Sequence, residues 1–317
     1  MNKADELRVL RAAYSESEIK DAVEFETPDF LLVRASQPSL GIEVTEAFES
    51  EGHARMRKIP GYTLEILRNQ YRHRADKSHF PLEKAIIHAN SRRQREVQVI
   101  FCTPPTKKQR SAALLDVIAQ KASRVGDYLR NCDAVELVIW DRGIFSEALP
   151  KERTQFIWHE PSIRKAVQDS GFREIRYLLK TKGEGWICQP VRASIFAEEV
   201  SLFMGAIKSQ NRRPLFYREI AISLAGYLRT VGFNETQVAL HGSSCFTIFS
   251  ESAVVTFKPR KWMYFAPNIP ECPQRKTYEG QLLDGDASHS LIGEVSNFIS
   301  EKCCVVDISL PADITDD

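Results

Sequence analysis

Two short stretches decide the fold: Glu26-Thr27-Pro28-Asp29-Phe30, and then Gly41-Ile42-Glu43-Val44-Thr45-Glu46. Pro28 ends whatever precedes it and opens Asp29-Phe30-Leu31-Leu32-Val33, a short apolar run that reads as a strand. Ser36-Gln37-Pro38-Ser39 supplies a turn, and Leu40 to Thr45 reads as the returning strand. Side chains alternate along a strand, so Ile42 and Val44 take one face while Glu43 and Thr45 take the other. The two runs form a hairpin that carries an acidic residue on each arm.

Working outward, Ala4 to about Lys20 reads as a first helix, with Leu7, Leu10 and Tyr14 at helical spacing. After the hairpin, helices are expected from Tyr62 to Arg74 and from near Leu82. A strand follows at Glu96 to Phe101, ended by Pro104-Pro105. Leu114, Leu115, Ile118, Ala122, Val125 and Leu129 trace one face of a long helix over Lys107 to Asn131. Ala134 to Trp140 is the clearest strand; a helix from Pro161 to Ser170 leads to a last strand from Phe172 to Leu179. This order predicts an α/β fold, a mixed sheet flanked by helices. Beyond about Arg192 the pattern changes to two helices and two β-rich runs, so the chain divides into 1–191 and a smaller C-terminal α+β domain, 192–317. Asp313, Asp316 and Asp317 form an acidic end.

The 317 residues are 43% hydrophobic and 27% charged, a globular mix that excludes disorder as the main state. No apolar run is long enough for a membrane span or a signal peptide, so a soluble, cytoplasmic protein is expected. The seven cysteines are scattered without a C-x-x-C pair, which argues for reduced, buried thiols over a zinc site. The formal charge of +1 hides a strong asymmetry. Residues 1–50 hold eleven acidic side chains against five basic ones, and residues 55–95 hold eleven basic against three acidic. Arg72, Arg74, Lys77, Arg92, Arg93 and Arg95 form clusters suited to a phosphate backbone, or to a solvated helix face.

Pro28-Asp29 at the head of one strand, with Glu43 on the next, resembles the PD-(D/E)XK nuclease superfamily, as does the order of elements from Leu7 to Leu179. The resemblance implies a restriction-endonuclease-like fold and a metal-dependent nuclease, in a bacterial defence or mobile-element setting. It implies Asp29 and Glu43 as ligands of Mg²⁺ or Mn²⁺, and Glu6 from the first helix as a third carboxylate, ahead of Glu16 and Glu18. The superfamily's lysine two residues after the glutamate is Thr45 here. A hydroxyl supplies no cation, so Lys58 is the expected replacement, with Arg55 and Arg57 next. The partner is nucleic acid, DNA before RNA, and the C-terminal domain is where a second copy or a partner protein would dock. The rival reading keeps the fold as a catalytically inactive module that binds nucleic acid or protein.

Other chemistries have less support. G-x-G-x-x-G, G-x-x-x-x-G-K-[ST] and G-x-S-x-G are all absent. Trp140-Asp141-Arg142-Gly143 reads as a turn after a strand, His241 to Cys245 as a loop, and Lys258 to Tyr264 as a strand edge interleaving base and aromatic. His159-Glu160 lacks a second histidine at zincin spacing.

Overall fold

The structure is a computed structural model, and it describes residues 1–33, 38–89, 93–101, 106–142, 160–181, 185–210, 215–241, 245–258, 262–267, 305–306 and 314–315. Arg92, Gly143, His159, residues 242–244 and 259–261, residues 36 and 37 of the turn at 36–39, and the three terminal aspartates lie outside them.

The sequence forms its first helix, α1, over Lys3–Ala13, with Asn2 as cap. It stops short of the expected end because Ser15 and Glu18 close a capping box that starts a separate short helix, α2 (Glu16–Ile19). Then come β1 (Ala22–Glu24), β2 (Phe30–Leu32) and β3 (Leu40–Ala47). Between β3 and the long helix lie α3 (Glu51–Lys58), α4 (Tyr62–Leu67), α5 (Asp76–His79) and the strands β4 (Leu82–Ala89) and β5 (Arg93–Ile100). The long helix is interrupted at Ser123-Arg124, giving α6 (Lys107–Ala122) and α7 (Val125–Tyr128). β6 (Ala134–Asp141), α8 (Pro161–Asp169), β7 (Glu174–Thr181) and β8 (Gly185–Pro190) follow.

These strands build a six-stranded mixed sheet in the order β1-β2-β3-β6-β7-β8. β3, β6 and β7 run parallel at its centre, and the two flanks are antiparallel. The even-numbered residues Ile42 and Val44 of β3, with Val138 and Trp140 of β6, bury Val9 and Leu10 of α1. On the other face Val135, Leu137 and Ile139 of β6 receive Leu114 and Ile118 of α6, with Tyr128 of α7 and Ile163 and Val167 of α8. The sheet is thus a layer between helices, the α/β class the alternation of elements required.

Other expectations change as well: the helix from Tyr62 ends at Leu67, short of Arg74. The segment from Leu82 is a strand, because Ile86 and Ile87 pair in register with Glu96 and Arg95; the apolar spacing that suggested a helix is one strand of a hairpin. Leu179 lies in β7, which is not last, since β8 adds an antiparallel edge that brings Trp186 against Trp140.

The expected boundary at 191/192 coincides with the start of α9 (Val191–Gln210). Then come β9 (Leu215–Phe216) and α10 (Tyr217–Thr230). The strands β10 (Gln237–His241), β11 (Cys245–Phe249), β12 (Ala253–Lys258) and β13 (Trp262–Pro267) form an antiparallel sheet, edged by β14 (Val305–Val306). A last strand, β15 (Ile314–Thr315), pairs with β9. Ile195, Phe196 and Val200 of α9 belong to one buried cluster with Ile175 and Tyr177 of the first sheet and Phe246 and Phe257 of the second. Glu174 caps this helix from the sheet, its carboxylate accepting from the N–H groups of Arg192 and Ala193 and from Ile175. Among the described residues no helix is long and apolar enough to cross a membrane.

Candidate functional site

The hairpin sets Asp29 immediately before β2. β2 pairs with β3 as Phe30 with Ile42 and Leu31 with Gly41, so one step further Asp29 faces Glu43. There Asp29 leaves the ladder, and its carboxylate accepts the Val44 N–H at 2.8 Å. Gly41 makes this approach feasible. A Cβ at Gly41 would lie 2.5 Å from Pro28 Cγ and 2.7 Å from Cys132 Sγ. The proline ring and the cysteine therefore pack directly on backbone, and the Asn131 amide donates to Thr27 O at 2.7 Å to hold the approaching loop.

Around Asp29 and Glu43 the fold gathers charge from both helical layers. Lys3 of α1 reaches Asp29 at 3.5 Å and Glu6 at 3.0 Å, and donates to Phe25 O. Glu6 is buried. Burial lowers the Lys3 pKa, but Glu6 and Asp29 outweigh it and raise the group above its ordinary value. From the other layer, Lys121 of α6 donates to Glu43 Oε1 at 2.5 Å. Glu43 is only 4% exposed.

Tyr128 of α7 lies beside both carboxylates. Its ring is fully buried and its hydroxyl has no well-formed hydrogen bond. Burial raises its pKa, and the negative charges of Glu43 and Asp29 raise it further, so the phenol stays protonated beside the two carboxylates.

The structure thus joins Glu6 and Asp29 through Lys3 on the α1 side, and sets Lys121 and Tyr128 beside Glu43 on the α6 side. Lys58 stands elsewhere: it lies 3.7 Å from Glu46 and over the Phe48 ring. Glu46 is three residues past Glu43 and so faces the α1 layer, where Arg142 also approaches it at 3.6 Å while stacking on Trp140. Arg55 is committed to buried Asp76, and Glu18 to the cap at Ser15. The cation beside Glu43 is Lys121, which local sequence gave no means of finding because α6 carries it from 78 positions away. Its one signal was the long amphipathic helix itself, whose lysine falls near the apolar face.

Of the basic residues, Arg72 is exposed but pairs with Glu65, and Arg74 and Lys77 are exposed on the α4–α5 segment. Arg93 and Arg95 fall on β5. Asp141, at the end of β6, accepts the Tyr177 hydroxyl at 2.6 Å, and Glu160 accepts from Ser111. Among the described residues no group of three or more His, Cys, Asp and Glu side chains forms a metal cage.

No family model, curated protein or solved structure matches this chain.

Proposed function

We propose that the chain is a divalent-metal-dependent nuclease with a restriction-endonuclease-like core of the PD-(D/E)XK kind, hydrolysing phosphodiester bonds of nucleic acid, DNA before RNA. One observation carries the reading: Asp29, one residue before β2, lies beside Glu43 of β3 with its carboxylate on the Val44 N–H, and the ammonium of Lys121 is held against Glu43. The order β1-β2-β3-β6-β7, with α1 and α6 on opposite faces, supports it.

The donor set suits Mg²⁺ or Mn²⁺. Hard cations of this kind take oxygen ligands, and one or two carboxylates leave room for water and phosphate oxygens. Asp29 and Glu43 would hold the ion, with Glu6 behind Lys3. When bound, it would polarise the phosphoryl group and lower the pKa of a coordinated water. The chain's own residues do the rest. Lys121 supplies the positive charge that Thr45 cannot, from a helix in place of the strand. Tyr128, kept protonated, is placed to donate to Glu43 and fix its orientation. The Val44 N–H holds one oxygen of Asp29, leaving the other for Lys3 or for an ion.

The test is incubation of the purified chain with labelled single- and double-stranded DNA and RNA, with Mg²⁺, Mn²⁺ or EDTA. Cleavage is expected with metal, and Asp29→Ala, Glu43→Ala and Lys121→Met are each expected to lose it. Cleavage in EDTA, or an active Glu43→Ala variant, would refute the metal site. One observation favours a second reading, a non-catalytic binding module: Glu43 is buried and already neutralised by Lys121. Salt-sensitive binding without cleavage of any substrate would establish that reading instead.

A further inference from the structure

The carboxyl ends of the parallel strands gather cations on the α1 face of the sheet, the face away from Glu43 and Lys121. Strand alternation puts Glu46 of β3, Trp140 of β6 and Leu178 of β7 side by side there, in register. Two residues beyond the last two come Arg142 and Lys180. Arg142 is fixed by its backbone N–H, which donates to Ala47 O at 2.8 Å. Its guanidinium carbon lies 3.9 Å from the centre of the Trp140 ring, and that of Arg8 from α1 lies 5.0 Å from the same side chain's ring. Lys180 stands 5.7 Å over Trp186, which meets Trp140 edge to face at 5.5 Å. From α3, Arg57 is exposed and Lys58 lies 5.4 Å over Phe48.

Two guanidinium groups against one indole repel each other, so the acids around them decide what this surface lacks. Among the described residues, the carboxylates paired with these five cations are Asp5, at 2.8 Å from Arg8, and Glu46. Glu46 lies 3.6 Å from Arg142 and 3.7 Å from Lys58, both beyond hydrogen-bonding distance. Positive charge is therefore left over. Burial holds the Arg142 pKa below its ordinary value, and the positive charges of Arg57 and Arg8 push it the same way against Glu46 and Asp5. The group stays charged at neutral pH all the same. A guanidinium stacked flat on an indole keeps its N–H edge for a ligand, and that planar fork matches the oxygens of a phosphate. From Lys58 beside β3, through Arg142, to Lys180 on β7, the cations cross three neighbouring strands, about 10 Å at about 4.8 Å per strand. A row of that width suits a chain of phosphates better than a single anion. We infer that this ledge binds phosphates of a nucleic-acid strand. The identity of the polyanion rests on the nuclease reading above. Glu46 is three residues past Glu43 and on the other face of β3, so the ledge would grip the strand away from the bond that is cut.

The experiment measures binding of the full chain to labelled single-stranded and duplex DNA by fluorescence anisotropy. EDTA keeps the substrates intact, and salt is varied from about 50 to 200 mM. Arg8→Gln/Arg142→Gln is expected to weaken binding by about tenfold or more and to reduce the slope of log K against log salt by about 1 to 2, while Arg8→Lys/Arg142→Lys keeps most of the slope. A thermal melt checks the fold, since Arg142 is partly buried. If the glutamine pair unfolds, Arg57→Gln/Lys58→Gln, both exposed, replaces it with the same expected change. Inorganic phosphate at constant ionic strength is the second probe, followed by the melting temperature. Phosphate that raises the melt of the wild type but not of Arg142→Gln, with DNA binding unchanged in the variants, assigns the site to a free phosphate and overturns the strand. Unchanged affinity and slope without any phosphate effect overturn the site altogether; Mg²⁺-dependent cleavage by the wild type leaves the nuclease reading standing in either case. DNA binding that is lost in the variants, with no substrate cleaved by the wild type, supports the ledge and removes the nuclease reading.

Discussion

Replacing Lys121 with methionine keeps most of the side-chain volume and removes one charge from the most enclosed ion pair near the site. At 2.5 Å the direct attraction with Glu43 is about 6 to 7 kcal/mol at an effective dielectric of about 20. Desolvation takes back several kcal/mol for each ion, since the side chains are only 16% and 5% exposed. The net value of the pair is therefore small, but breaking it from one side is costly, because Glu43 then stays buried without its cation. Such losses run to about 3 to 5 kcal/mol. Tyr128, whose hydroxyl has no well-formed hydrogen bond, is close enough to donate to Glu43 and soften the loss, so about 3 kcal/mol is expected. The assay is urea denaturation at neutral pH on wild type, Lys121→Met, Glu43→Gln and the double variant. The double variant should recover part of the loss, giving a coupling of about 2 kcal/mol. A Lys121→Met variant within about 0.5 kcal/mol of wild type, or a cycle with no coupling, would refute the account of Glu43 as a buried charge held by Lys121.

Gly41→Ala should destabilise by about 1 to 3 kcal/mol, since its Cβ would overlap Pro28 and Cys132. Cys132→Ala in the same chain should restore part of it, as read by thermal melts. Asp76→Ala should strip Arg55 and Tyr62 of their shared acceptor and loosen the segment around Phe80; hydrogen exchange there should rise while the main sheet stays protected. Glu174 is fully buried, and this pushes its carboxyl up to about 7 against the pull of Arg176. The folded state then holds a proton that the unfolded state has lost, so stability should fall as pH rises from about 4.5 to about 7, by on the order of 3 kcal/mol in all. Denaturation midpoints in Glu174→Gln should lack that component, and a parallel pH profile would refute it.

The hairpin of β2 and β3 was legible because its signals are local: a proline, a short apolar run, a turn, then alternation. Asp29 and Glu43 followed from it, as did the sheet's α/β character. Lys58 was expected to supply the cation from a neighbouring helix, as the resemblance implies; strand alternation sets it apart, because the residue it meets, Glu46, points away from Glu43. Lys3 and Lys121 reach the site from opposite layers, a fact of packing that no spacing in the chain expresses. Leu82 to Ile87 misled because a short run with adjacent isoleucines fits either period, and its partner strand, not its own pattern, decides. The breaks at Tyr14 and Ser123 were missed because an apolar stripe continues across them while the backbone does not.

Residues 51–101 carry a small apolar centre of their own, Tyr62, Ile66 and Phe80 around the Asp76 node, set apart from the two clusters that clasp the sheet. Few side chains hold it, so it should form a separate cooperative unit, opening and reclosing at a free energy well below that of global unfolding. The β4–β5 hairpin, rooted in such a unit, can swing or refold without disturbing the register that sets Asp29 beside Glu43. Local opening of this unit would then leave the β2–β3 hairpin, and the packing of Pro28 and Cys132 on Gly41, intact.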